Sequence, residues 1–347
     1  EELVGQGNEV TLFARGDSKT AAQLKSCCPR ALRLHDTGLI NRDAPMILMQ
    51  EQALGAASGE FDIIHSHLDF LSFPMSRRAH APVVTTLHGR LDLPELQPIF
   101  NEYAEMPVVS ISNAQRKPLP QANWAGTVYH GIPKSLYTPH GRPGSYLAFL
   151  GRISPEKCPD HAIEVARRVG MRLGTGAKVD PADQAYFKKK IEHLLDHPLV
   201  EYVGEINDAE KNDFLGEAAA LLCPYDWPEP FGLVLIEAMA CGTPVLAYRQ
   251  GSIPEVIDHG VTGYVCDNIS DMAQAVAGLP LIDRSRCREI FEKRFTVERM
   301  VKDYLDIYER MAAASHRPRL VAHARPAAAG HMRVGAVRTL TPQTDVA

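Results

Sequence analysis

Residues 227–245 read Trp227-Pro228-Glu229-Pro230-Phe231-Gly232-Leu233-Val234-Leu235-Ile236-Glu237-Ala238-Met239-Ala240-Cys241-Gly242-Thr243-Pro244-Val245. A helix beginning at Phe231-Gly232 would be apolar on almost every side, which predicts a buried helix. Glu237 sits inside it with no Lys or Arg in the same stretch, and a desolvated carboxylate needs donors from elsewhere. Leu233 and Glu237 are four apart and share a face. The backbone N–H groups of Gly232, Leu233 and Val234 would lie at the positive end of the helix, where phosphate is favoured. One turn along, Glu237 could accept from ribose hydroxyls. Glu229, stiffened between two prolines, could be aimed at a sugar hydroxyl. A lone Glu would be read more simply as bonded to a distant backbone N–H. The second Glu at this spacing and the glycine at the helix start reverse that preference.

The remaining chain places this stretch in an α/β protein. Asp62-Ile63-Ile64-His65-Ser66-His67, Pro82-Val83-Val84-Thr85-Thr86-Leu87-His88-Gly89 and Val108-Val109-Ser110-Ile111-Ser112 are short apolar runs between helical stretches. That pattern predicts parallel strands. Ligands gather at the carboxyl ends of such strands, where His67 and His88 fall. A lone His at a strand end is more simply a loop residue bonded to a carbonyl. The Pro- and Gly-dense run 133–144 predicts a domain boundary. After it, Tyr146 to Gly151 reads as a strand, Ser154 as a cap and Pro155 as the first residue of a helix running on through Asp160 to Val169. Arg152 and Lys157 lie five apart around this turn and could converge on one pyrophosphate, although spacing alone favours two solvated cations. Asp183 to Leu195 reads as one helix. Gly174-Thr175-Gly176 lacks the third glycine of a dinucleotide loop and is set aside.

Three motifs carry a resemblance. Glu-Pro-Phe-Gly-Leu-Val-x-x-Glu-Ala-Met-Ala-Cys-Gly-Thr-Pro-Val at 229–245, Gly-Arg-x-x-x-x-Lys at 151–157 and Thr-x-His-Gly at 86–89 are together similar to the family 4 retaining glycosyltransferases (glycosyltransferase group 1) of bacterial type. The resemblance implies a GT-B fold, two Rossmann-like domains facing across a cleft. It implies an N-terminal acceptor-side domain over 1–135, a nucleotide-sugar-binding domain over 144–295, a crossover helix over 296–312 and a disordered tail over 313–347. Similar proteins open with a strand, a glycine-rich loop and a helix ahead of the segment equivalent to Glu1, so the first domain is expected to lack its opening strand and helix, as in an N-terminally truncated chain.

The implied activity is transfer of a sugar from a nucleoside diphosphate sugar to an acceptor hydroxyl with retained configuration. UDP-sugars such as UDP-glucose are the default donor. In similar enzymes the leaving phosphate takes the acceptor proton. Glu229, His88, Arg152 and Lys157 are the expected catalytic set. Gly151, Phe231, Gly232, Leu233, Val234 and Glu237 are the expected donor-binding set. No Asp-x-Asp pair occurs in the sequence, so no metal and no other cofactor is expected. Two other readings stay open. One is an inactive nucleotide-sugar-binding remnant, motivated by the missing elements; the other is a related nucleotide-sugar epimerase.

Bulk properties narrow the rest. The 347 residues suit two cores, with 45% hydrophobic and 23% charged residues. A net charge of -5 gives no electrostatic reason to bind nucleic acid. No apolar run reaches the length of a membrane span, which leaves peripheral contact with a bilayer open. The seven cysteines show no zinc or redox spacing, which suits a reducing cytoplasm. The acceptor, whether small molecule, glycan or lipid-linked, is not legible.

Overall fold

A computed structural model describes residues 1–31, 43–56, 58–142, 144–314 and 333–338. It divides into two units. Unit 1 comprises Glu1–Ile111, Arg116–Val128 and the described chain from Met300 on; unit 2 comprises Ser112–Gln115 and Tyr129–Arg299.

Unit 1 holds β1 (Glu9–Ala14), β2 (Gln23–Ser26), β3 (Ile63–His67), β4 (Val83–Thr86), β5 (Val108–Ser110) and β6 (Trp124–Thr127). Unit 2 holds β7 (Tyr146–Arg152), β8 (Arg172–Lys178), β9 (Val200–Gly204), β10 (Ala218–Cys223), β11 (Val245–Tyr248) and β12 (Gly263–Cys266), and β13 (Arg333–Arg338) returns to unit 1. The two sheets run β2-β1-β13-β3-β4-β5-β6 and β12-β11-β10-β7-β8-β9. Every strand pair is parallel. Continuous apolar runs such as Ala218-Ala219-Ala220-Leu221-Leu222-Cys223 follow from burial on both faces.

One expectation for the ends of the chain is corrected. The tail over 313–347 is not disordered throughout, because Arg333–Arg338 forms a strand, while 315–332 and 339–347 lie outside the described residues. Among the described residues no strand of unit 1 precedes β1, and the strand beside it at the centre of the sheet, β13, comes from the far end of the chain. β13 pairs with β1 on one side, Val334 against Val10, and with β3 on the other, Val334 against Ile63. Val334 is fully buried with Ile63, Val84, Val109, Tyr304, Ile307 and Tyr308. A strand at the centre of a parallel sheet gains ladder bonds on both edges, which outweighs the weak local pattern of its sequence.

The helix Leu233–Ala240 is buried on nearly all sides, through Val234, Leu235, Ile236, Ala238, Met239 and Ala240. Full burial of each large side chain contributes about 1.5–3 kcal/mol. Gly232 precedes the helix at φ 81, and a Cβ there would come within 2.8 Å of Leu235 Cδ1, so a side chain is excluded twice over. Gly242 ends it at φ 76. The Gly242 N–H donates to Met239 O at 3.0 Å and the Thr243 N–H to Ala238 O at 2.8 Å, the paired bonds of a Schellman cap.

Two local readings fail in part. Ser154 makes no cap bond; Pro155–Lys157 is a single 3-10 turn, Cys158 reverses the chain at φ 48, and the α-helix begins at Pro159. The expected helix over 183–195 is broken into Gln184–Tyr186, a wide turn over Phe187–Ile191 and a 3-10 turn over Glu192–Leu194. Phe187, Ile191, Leu194 and Leu195 still pack on the core of unit 2, with Ile191 fully buried, so the apolar spacing was read correctly and the continuity of the helix was not.

Candidate donor site

The loop from β10 to the Leu233–Ala240 helix carries Glu229 into the interior of unit 2. Both Lys157 and Glu229 have side chains only 1% exposed, and Lys157 Nζ donates to Glu229 Oε2 at 2.8 Å. Trp227 Nε1 donates to the same oxygen at 3.1 Å. The ammonium also lies 4.0 Å from the Tyr225 ring centroid and 5.3 Å from that of Trp227. Two aromatic faces and one carboxylate therefore compensate a cation withdrawn from water. The other oxygen, Glu229 Oε1, is buried and receives no hydrogen bond from the described residues. The loop is fixed from behind by the Ser252 N–H, which donates to Glu229 O at 2.9 Å. Gly251, at φ 50, permits that approach: a Cβ on it would stand 2.2 Å from Glu229 O.

Arg152 and Lys157 point to different partners. Arg152 Nη2 donates to Glu156 Oε1 at 2.7 Å, while Nη1 lies 3.4 Å from Asp180 Oδ2 and 3.6 Å from Asp183 Oδ2. Its Nε is buried with no hydrogen-bond partner among the described residues. Burial pushes Asp180 up, but Lys178 and Arg152 outweigh it and leave that carboxyl below its ordinary value. Burial prevails at Asp183, which is raised. Three carboxylates thus share one guanidinium, and a diphosphate at Arg152 would compete with them.

Glu237 finds a donor that its own segment lacks. Lys211, on the helix Asp208–Gly216, places Nζ 3.2 Å from Glu237 Oε1. Burial, followed by the nearby Glu237 charge, pushes the buried Tyr137 phenol up. Burial opposes the charge on Lys211, but Glu237 and Asp208 outweigh it and raise its pKa. Lys211 and Tyr137 were missed in the sequence; a buried carboxylate without a local cation was the signal that something must fill their place.

Among the donor-set residues, Gly232, Leu233 and Val234 form the helix start, with Leu233 37% exposed and Val234 buried. Gly151 sits within β7 beside Arg152. The Phe231 side chain is buried, edge-on to His130 at 5.0 Å, so it packs and offers only its backbone to a ligand.

In unit 1, His88 follows β4 and its Nε2 lies 2.8 Å from His67 Nδ1. The two rings stack at 5.1 Å. The Asp69 carboxylate accepts from the His88 backbone N–H at 3.2 Å. Burial pushes the Asp69 carboxyl up to about 6 against that bond. His67, passed over in favour of His88 in the sequence, is thus its direct partner. Among the described residues no group of three or more His, Cys, Asp or Glu could hold a metal ion, and no helix is long and apolar enough to cross a membrane.

Comparison with known proteins places the family and the fold. Residues 139–293 match the family description "Glycosyl transferases group 1", and residues 1–129 match "Glycosyltransferase Family 4". The D-inositol 3-phosphate glycosyltransferase of Mycolicibacterium smegmatis is 27% identical over 94% of this chain and 87% of its own length. The solved structure of Anabaena HepE in complex with UDP superposes with a TM-score of 0.67 at 17% identity, over 88% of this chain and all of that one. Sucrose-phosphate synthase from Thermosynechococcus elongatus gives 0.71 at 19% identity, over 90% and 92%. These structures share the GT-B fold with this chain.

Proposed function

The chain belongs to the group 1, family 4 glycosyltransferases, and from that premise we propose that it moves a hexose from a UDP-sugar to an acceptor hydroxyl with retention of anomeric configuration. The observation that carries the reading is the buried Glu229 carboxylate, anchored through Oε2 by Lys157 and Trp227 while Oε1 receives no bond from the described residues. A buried acceptor of this kind is costly unless a ligand donates to it. A sugar hydroxyl is the donor that this family's substrates bring.

In this reading the acceptor oxygen forms a bond to the anomeric carbon as the bond to the diphosphate oxygen breaks. The acceptor proton passes to the departing phosphate. The start of the Leu233–Ala240 helix, with Lys157 and Arg152, stabilises the leaving charge. Glu237 takes the ribose hydroxyls and His88 the sugar. The absence of an Asp-x-Asp pair from the sequence supports a metal-independent reaction, and the reducing-compartment cysteine pattern supports a cytoplasmic one.

The UDP default draws on HepE, which was solved in complex with UDP. The inositol phosphate relative motivates trying a polyol phosphate as acceptor. The inactive-remnant alternative rested on the missing first strand and glycine-rich loop; β13 lies between β1 and β3, which weakens the first of those grounds. Calorimetry with UDP, alongside an assay of UDP-glucose, GDP-mannose and ADP-glucose consumption, tests the proposal. Binding of UDP with release of UDP from UDP-glucose is expected. Binding without turnover of any donor would return the remnant reading, and no binding at all would remove both.

A further inference from the structure

We propose that His67 and Asp69 are positioning residues for His88, holding its ring and its backbone so that the imidazole meets the sugar nucleotide in one orientation and one proton arrangement. The inference rests on the role given to His88 above. β3 and β4 are adjacent and in register, with His65 opposite Val84 and Ser66 opposite Thr85. Their carboxyl ends therefore bring His67 and His88 together, with an interplanar angle of 29° and an N–N distance of 2.8 Å. A bond between two ring nitrogens needs one N–H and one lone pair. The two rings cannot both be imidazolium while it lasts, and each sets the tautomer of the other.

Asp69 secures the backbone. It is one of two non-glycine residues at positive φ among the described residues, at φ 48, a conformation that persists only where the surroundings enforce it. Those surroundings lie in the turn itself. Ser66 Oγ bonds Ser72 Oγ at 2.8 Å, Ser72 Oγ donates to Asp69 O at 3.2 Å, and the Leu68 N–H donates to Ser66 Oγ at 3.2 Å. The strained residue thereby delivers its carboxylate to the His88 N–H. Other titratable groups near the pair are known. The His65 ring lies 4.1 Å from that of His67 and is itself held by Tyr308 and Thr86, with Tyr304 beyond. Arg90, two residues past His88, is paired with Asp92.

A purely structural pair would tie two strand ends together and nothing more, so the test needs readouts that such a role would not move. In the full chain, His67→Ala is expected to lower kcat for UDP-glucose by on the order of tenfold to a hundredfold, as displacement of an active group does, with KM for the donor little changed. His67→Gln, which restores an amide to the ring nitrogen's place, should recover most of the loss. Wild-type kcat in His67→Ala would overturn the proposal, as would a loss that tracks a fallen melting point and is not recovered by Gln. Should the wild-type chain turn over no sugar nucleotide, the donor reading fails separately, and imidazole NMR still decides. His67 and His88 should titrate as a coupled pair in two steps, becoming a single independent step for His88 in His67→Ala. A His88 curve unchanged by the substitution would overturn the proposal.

Discussion

Lys157 and Glu229, seventy-two residues apart in the chain, form a fully buried ion pair at 2.8 Å in which only one carboxylate oxygen is used. The desolvation of two charges makes such a pair a poor source of stability, yet breaking it from one side is severe. Lys157→Met should destabilise unit 2 by about 3–5 kcal/mol, because Glu229 is left charged and buried. Lys157→Met with Glu229→Gln should cost less than the sum of the two single changes by more than about 1 kcal/mol. Urea unfolding followed through Trp227, which donates to the same carboxylate, measures this. Simple additivity would mean that the pair is not coupled in solution.

Lys211→Met removes a donor to Glu237 and should cost about 1–3 kcal/mol as a carboxylate loses a charged partner. The larger effect is expected in ligand binding, since a carboxylate no longer held by Lys211 is less well placed for ribose hydroxyls. UDP affinity by calorimetry should fall, while the affinity for a 2′,3′-dideoxy analogue changes little. Equal loss for both nucleotides would dissociate Glu237 from the ribose.

Asp69 gives a pH signature whose sign follows from its raised pKa. In the folded chain its carboxyl is pushed up to about 6, above the ordinary Asp value, so between the two values the native state holds more protons than the unfolded one. The stability it contributes is present at low pH and is lost as pH rises through about 6. Asp69→Asn, which can still accept from the His88 N–H, should match the wild type near pH 4 and become relatively more stable above pH 6, by on the order of 1–3 kcal/mol. Melting points of the two proteins across pH 4–8 check this. A constant difference would show that Asp69 titrates normally.

The parts of this molecule that were legible were those encoded by contiguous residues. The apolar runs of β3, β4 and β5 and the Gly232 helix start follow from local pattern and backbone freedom. What was not legible depends on partners far along the chain. Asp180 and Asp183 reach Arg152 from beyond β8, and Lys211 reaches Glu237 from the helix after β9. Spacing around the Gly151 turn could place Arg152 and Lys157 near one another, but could not say that acidic side chains would claim one and Glu229 the other. Arg333-Val334-Gly335-Ala336-Val337-Arg338 was hidden for the same reason: a short run with a glycine and two flanking arginines, in an Ala-, Pro- and His-rich region, has its pattern swamped by composition.

That last strand yields the most exposed prediction. Val334 is fully buried between β1 and β3, in a cluster with Ile63, Val84, Val109 and the face of the Val297–Ala314 helix bearing Tyr304, Ile307 and Tyr308. An aspartate there would place an unpaired charge in an apolar core, where no nearby cation can compensate it within the cluster. Val334→Asp should therefore destabilise unit 1 by more than about 3 kcal/mol, against under about 0.5 kcal/mol for a substitution in a solvated tail. Trp124 lies in β6 of the same sheet, so its fluorescence reports that loss, while Trp227 and UDP binding report on unit 2. Unfolding of unit 1 with UDP affinity retained is the expected result. A melting profile identical to wild type would remove β13 from the sheet and with it the argument that the centre of unit 1 is filled.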